Sequence, residues 1–231
     1  MSNNDDIGSG KIRSKLIKSK EDWAKEGRLL TGAQAKRSDR LPPGQRLVKD
    51  WPVLDLGVQP HVRPADWALT IDGAVLSPLT WDWDTFMAAP QSESESDIHC
   101  VTSWSRYNNV WRGVSTKALC EMVEPLDSAN HVILHSYDGY TTNVSLDVFQ
   151  ADDCLIAHSH DGALLTRQHG GPARLVIPQY YFWKSAKWIQ RIHFSADDAP
   201  GFWERRGYHN VGDPWREERY AIAKPEEYSP D

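Results

Sequence analysis

Three Asp-Gly pairs (Asp72-Gly73, Asp138-Gly139 and Asp161-Gly162) and a proline-studded stretch from Leu41 to Pro64 divide this chain into short pieces. An Asp-Gly pair supplies the positive-φ geometry that reverses a strand within two residues. Proline fixes φ and lacks the amide hydrogen that a helix interior or a central strand needs. Five prolines (Pro42, Pro43, Pro52, Pro60 and Pro64) therefore make residues 41–64 an extended wrapping segment. A chain interrupted this often does not carry the long regular helices of a doubly wound α/β protein.

Between the breaks the apolar pattern is mostly that of strands. Trp67, Leu69 and Ile71 alternate onto one face of a half-buried strand that ends at Asp72-Gly73. Further strands are predicted at His131–Tyr137, Cys154–Ala157, Ala173–Ile177 and Trp188–Phe194, with short helices over 84–89 and 145–151. Ser115 caps a helix whose Ala118, Leu119, Met122 and Val123 share a face, and Pro125 stops it. Cys120 falls off that stripe and reads as structural or surface, and the Ser/Glu-rich run Gln91–Asp97 reads as an exposed loop. Strands alternating with short helices indicate an α+β fold with a mixed sheet, in one domain over residues 41–231. Ahead of it, residues 1–40 form an N-terminal tail and amphipathic segment: a disordered stretch over 1–10, then a basic helix (Lys11, Arg13, Lys15, Lys18, Lys20) packed across the domain.

Charge and cysteine usage exclude several function classes. A formal charge of −6 argues against nucleic acid as the main partner. Three cysteines are an odd number and too few for a disulfide framework, so reduced thiols and a cytoplasmic location are expected. The N-terminus lacks the apolar region of a secretory signal, and no run approaches the roughly 18 apolar residues of a membrane span.

Chemistry concentrates in three stretches. In Asp97–Gly113 a single thiol, Cys100, sits among aromatic, hydroxyl and basic residues. His99 is its neighbour in sequence, but adjacent residues of a strand face opposite sides, so it is a poor general base for Cys100. A thiolate bound to a soft metal needs no base, because the metal itself holds the sulfur deprotonated. Zinc is a rival reading, with Cys154, His158 and His160 on one face of an extended strand and no fourth ligand in view.

The second stretch is His169-Gly-Gly-Pro-Ala-Arg174, followed by Lys184-Ser-Ala-Lys187. Its glycines let backbone approach a ligand, and its basic residues suit a phosphate, with surface cations around a β-turn as the plainer alternative. The third, Pro200–Asn210, mixes aromatics and cations between glycines like a loop over a cleft, and carries the phenol of Tyr208.

Taken in this order, over roughly Trp67 to Tyr208, these stretches resemble the molybdopterin-binding domain of the sulfite oxidase family, nearest to its small haem-free bacterial members. The resemblance implies a sulfite-oxidase-like fold, a molybdenum-molybdopterin cofactor and oxygen-atom transfer on a small S- or N-containing substrate. By that resemblance Cys100 is the molybdenum ligand. Ser136, His169, Arg174, Ser185, Ala186 and Lys187 contact the cofactor, and Tyr208 is the active-site tyrosine. No haem-attachment motif is present, so electrons pass to or from an external redox partner protein, for which the basic Lys11–Lys20 segment is a docking surface. The arginine pair that follows the ligand cysteine in sulfite oxidases is replaced by Ser103-Trp-Ser-Arg106, leaving Arg106, with Arg112, as the anion-binding candidate beside Trp104 and Tyr208. Upstream cofactor contacts are expected within Val53–His61. Two other readings stand beside the enzyme: a non-catalytic molybdopterin carrier, and a zinc or thiol hydrolase.

Overall fold

A computed structural model of the protein describes residues 5–33, 35–36 and 39–221, with side chains from residue 14 onward. In chain order its strands are β1 (Arg46–Leu47), β2 (Ala68–Gly73), β3 (Leu79–Asp82), β4 (Ser92–Cys100), β5 (Trp104–Ser115), β6 (His131–Ser136), β7 (Thr141–Ser145), β8 (Leu155–His160), β9 (Ala163–Leu164), β10 (Arg174–Val176) and β11 (Ile189–Ser195). Four α-helices accompany them: α1 (Asp5–Lys25), α2 (Trp83–Ala88), α3 (Thr116–Val123) and α4 (Leu146–Phe149). The three Asp-Gly turns lie where strands end, with Gly73, Gly139 and Gly162 all at positive φ.

The strands form two mixed sheets. One runs β3-β2-β11-β6-β7, antiparallel except for the parallel β2–β11 pair. The other runs β1-β5-β8-β10, with β4 also on β5 and β9 on β8. Between them lies a shared core: Leu69, Ile71, Val132, Leu134 and Ile192 from the first sheet meet Val114, Ile156 and Leu175 from the second. Burying each such side chain contributes about 1.5–3 kcal/mol.

The second sheet is also covered on its other face. Leu155, Ala157 and Val176 point there and pack with Cys100, Trp104, Trp111, Tyr181 and Tyr208. Burial on both faces explains why Leu155-Ile156-Ala157 is continuously apolar, whereas β2 alternates. The site grows from this second, aromatic layer.

Two features differ from the sequence reading. Gln91–Asp97 is not a loop, since Ser92 to Ser96 pair in register with Gly113 to Asn109 of β5. The long β5 satisfies the β4 backbone, while the Ser and Glu side chains of its outer half stay largely toward solvent. Cys120, read as structural or surface, is the former, buried against the main core. The first helix starts at Asp5, inside the stretch expected to be disordered; residues 1–4 lie outside the described residues.

Helix α1 lies against the rest of the chain, with Ile17 packed on the main core and Ala24 buried in the aromatic layer. No helix among the described residues is long and apolar enough to cross a membrane.

Candidate cofactor and active site

Cys100 ends β4, and the turn Val101-Thr102-Ser103 carries the chain into β5, with Cys100 and Trp104 as the last cross-strand pair. This turn is held from three directions. Gln45 Nε2 donates to the Cys100 carbonyl at 3.0 Å, the Arg46 amide donates to the Ser103 carbonyl at 3.2 Å, and the buried Arg219 guanidinium donates to the Val101 carbonyl. The turn that carries the sulfur is thus held through three of its backbone carbonyls. Its Sγ lies 3.2 Å from Thr102 Oγ1. Burial pushes the thiol pKa up, while the Thr102 hydrogen bond and the charges of Lys20 and Arg219 pull against that. His99 faces away, with Nδ1 2.8 Å from Ser105 Oγ and its ring edge-on to Trp215.

Cys100 lines a cleft that also receives Ser136, His169, Arg174, Ser185, Ala186, Lys187 and Tyr208. Eight of the nine residues singled out from the sequence therefore meet in one place. Arg106 does not. Its guanidinium donates to Asp161 Oδ2 at 2.7 Å and to the Lys49 carbonyl at 3.2 Å, outside the cleft lining. Arg112 is exposed on β5. The zinc set also disperses: Cys154 Sγ donates to the Val148 carbonyl, His158 meets Gln91, and His160 meets Asn109. Among the described residues no group of three or more His, Cys, Asp or Glu is placed to hold a metal ion.

At one end the cleft is cationic. Arg174 is 2% exposed, and its guanidinium donates only to carbonyls: His169 and Ser185 at 2.8 Å each, and Leu175 at 3.3 Å. It lies over the Phe182 ring, 4.3 Å from the centroid. Burial pulls its pKa down to about 9, and burial with the Arg174 charge pulls Lys187 down to about 8. His169 stacks on Trp51 at 3.9 Å, and burial followed by its cationic neighbours lowers it to about 4. Among the described residues no ion pair joins a carboxylate to Arg174, Lys187 or His169. Converging cations without a paired anion fit a phosphate-bearing ligand.

Two further groups call for a ligand. Ser136 Oγ and Trp104 Nε1 are buried in the cleft wall without a hydrogen-bond partner, a cost of about 1–3 kcal/mol each if nothing binds there. By contrast, Ser185 Oγ is engaged, accepting from the Ile177 amide at 2.9 Å, which ties the 185–187 loop to the end of β10. An orphaned hydroxyl, a cationic pocket and a buried thiol in one cleft suit a molybdopterin: thiol to metal, cations to phosphate.

The wall around Tyr208 is aromatic. Its ring stacks on Trp203 at 5.0 Å and meets Trp183 edge-on at 5.2 Å. Burial drives the phenol well above its usual range, so it stays protonated and keeps an O–H available to donate.

Sequence reasoning missed Trp51, Arg219 and the placement of Lys20. Residues 51–56 line the cleft while 57–61 do not, so the lining in this segment begins at Trp51, two residues before Val53. Trp51 opens an irregular Pro-rich segment, which is the signal that was available for it. Nothing local marks Arg219, which reaches a carbonyl 118 residues away.

Fold and cleft together are those of a molybdopterin-dependent oxidoreductase. Residues 56–203 match the oxidoreductase molybdopterin binding domain family, and the chain belongs to it. It is 45% identical over 189 residues to the uncharacterized oxidoreductase YuiH of Bacillus subtilis (strain 168), covering 81% of this chain and 96% of that one. It is 30% identical over 158 residues to the protein-methionine-sulfoxide reductase catalytic subunit MsrP of Ralstonia nicotianae, covering 62% of this chain and 47% of the relative, about half its length. Sulfane dehydrogenase SoxCD from Paracoccus pantotrophus shares the fold, with a TM-score of 0.55 at 18% identity over 60% of this chain and 40% of that one.

Proposed function

We propose that the protein binds a molybdenum-molybdopterin cofactor and transfers an oxygen atom to or from a small S- or N-containing substrate, exchanging electrons with an external partner protein. The observation that carries the reading is the convergence of the buried Cys100 thiol, the orphaned Ser136 hydroxyl and the Arg174 cradle in one cleft. When bound, the cofactor supplies two-electron redox chemistry and the oxygen transfer itself.

The chain's own residues then have distinct tasks. Cys100 gives the thiolate that anchors the metal, on a turn pinned by Gln45 and Arg219. Arg174 and Lys187 neutralise the phosphate, His169 and Trp51 form a flat wall beside it, and Ser136 gives the cofactor one hydrogen bond. Ser185 and Ala186 bring the 185–187 loop against β10, the Leu175 amide donating to the Ala186 carbonyl at 2.8 Å. Tyr208 donates a hydrogen bond to a substrate oxygen, while Trp203 and Trp104 keep water out. The three unpaired buried thiols support a reducing compartment, the cytoplasm.

Methionine sulfoxide reductases among the relatives favour reduction of an oxide over oxidation of sulfite. The test is a screen of the molybdenum-loaded protein, with a reduced viologen dye and S- or N-oxides in one arm and ferricyanide with sulfite in the other. We expect turnover of at least one oxide. Cofactor-loaded protein without turnover in either arm would identify a carrier instead.

Charge reversal in the cradle gives a second check. Lys187 is half-buried and donates only to the Gln168 carbonyl, at 2.9 Å. Lys187→Glu should therefore weaken cofactor retention at least about tenfold through lost and reversed phosphate contact. Its thermal midpoint should move by less than about 4 °C. Molybdenum occupancy equal to wild type would remove Lys187 from the cradle.

A further inference from the structure

Helix α1 builds one wall of the same cleft. Leu16, Ile17 and Lys20 line the cleft along with Cys100, Trp104 and Tyr208. Ile17 and Ala24 anchor the helix by packing on the domain, and the Glu21 carboxylate pairs with Arg206 at 3.2 Å. Lys20 is thereby turned inward rather than presented on the basic outer face: its Nζ lies over the Trp23 ring, 3.4 Å from the centroid, and its side chain is half-buried. Lys15 and Lys18, by contrast, are exposed.

On this side of the cleft the polar groups facing the thiol are donors. They are the Lys20 ammonium, the Tyr208 phenol and the buried Trp104 indole N–H, which has no partner, beside the Thr102 hydroxyl that is already in contact with Cys100 Sγ. Leu16 and Ile17 supply apolar wall. One cation is too few for a compact dianion such as sulfite. Arg219 cannot add a second, because it is fully buried and bound to the Val101 and Pro43 carbonyls, and Arg106 is held by Asp161 outside the cleft. A neutral dipolar oxide matches the inventory better, with one oxygen that accepts hydrogen bonds and hydrocarbon groups that need none.

We propose that the part of the cleft between α1 and the Cys100 turn is the substrate site for a small S- or N-oxide, in which Lys20 and Trp104 donate to the oxide oxygen while Leu16 and Ile17 pack on its substituents. This rests on the oxygen-transfer reading above. Lys20 is a substrate-contacting residue contributed by a segment outside the 56–203 family match, so it sets specificity rather than cofactor affinity.

The experiment compares wild-type holoprotein with Lys20→Met and Lys20→Arg. Binding of dimethyl sulfoxide and trimethylamine N-oxide is measured calorimetrically without reductant, and turnover is measured with a reduced viologen. In Lys20→Met we expect Kd and KM for the preferred oxide to rise roughly 10–100-fold, as for loss of a charged hydrogen bond. Molybdenum content and thermal midpoint should stay at wild-type values, and Lys20→Arg should recover most of the binding. Wild-type Kd and KM in Lys20→Met would overturn the proposal while leaving oxygen transfer standing. A wild-type holoprotein that neither binds nor reduces either oxide would overturn both. Loss of sulfite oxidation in Lys20→Met with oxide binding intact would overturn the substrate class.

Discussion

Cys100→Ser yields a folded protein that no longer retains molybdenum and whose activity falls by more than about a hundredfold, beyond the usual effect of losing an outer-shell partner of a metal ligand. The position tolerates the change sterically, because serine is smaller and its hydroxyl can keep the contact with Thr102 that the thiol makes at 3.2 Å. The turn keeps its Gln45, Arg46 and Arg219 supports, all of which engage backbone carbonyls. What disappears is the soft sulfur donor, and a serine hydroxyl is a harder ligand and a far weaker acid. The pterin cradle at Arg174 and Lys187 is untouched, so the variant should still bind pterin better than it binds metal. Metal analysis and circular dichroism on the same preparation check both halves. A folded variant with wild-type molybdenum would show that Cys100 is not the ligand.

Lys184→Met lowers stability by about 3–5 kcal/mol, the cost of stranding one member of a buried ion pair. Lys184 Nζ lies 2.7 Å from Glu204 Oε1, and both side chains are buried. The ammonium also donates to the carbonyl and side-chain oxygen of Asn143, at 2.8 and 2.9 Å, while Thr142 Oγ1 and Trp183 Nε1 donate to the Glu204 carboxylate. Burial lowers the Lys184 pKa, with Glu204 holding it up in part. Methionine fills similar volume but leaves the carboxylate buried without a counter-charge. Adding Glu204→Gln removes that charge and keeps acceptors for Thr142 and Trp183, so the double variant should regain at least about 1 kcal/mol. The turn Phe182–Lys184 leads directly into the 185–187 loop, and Glu204 opens the turn that leads to Tyr208, so cofactor retention should fall along with stability. Urea denaturation of the single and double variants decides the matter, and an unchanged midpoint in Lys184→Met would mean that the pair contributes little.

What could be read from the sequence was local. The alternation of Trp67, Leu69 and Ile71, the Ser115 cap with its stop at Pro125 and the Asp-Gly turns each depend on residues a few positions apart, and the strands and helix they mark are present. Cys100, His169, Arg174 and Lys187 were singled out by the family resemblance rather than by their own patterns, and the fold brings all four to one cleft. What failed depended on distant partners. Ser92–Ser96 is a strand only because β5 offers it a ladder, and its composition points to a loop. Arg106 reads as an anion site until Asp161, 55 residues away, takes its guanidinium. Lys20 reads as one of a run of surface cations until the packing of Ile17 and Ala24 turns that side of the helix inward.

The central claim is that this cleft holds a molybdenum-molybdopterin group through Cys100 and the Arg174 cradle. Metal and pterin analysis of protein purified from a molybdenum-replete host tests it most directly. We predict about one molybdenum and one pterin per chain, the stoichiometry of a single cofactor site, with the metal absent from Cys100→Ser. Protein that carries zinc alone, or no metal and no pterin, would contradict the account.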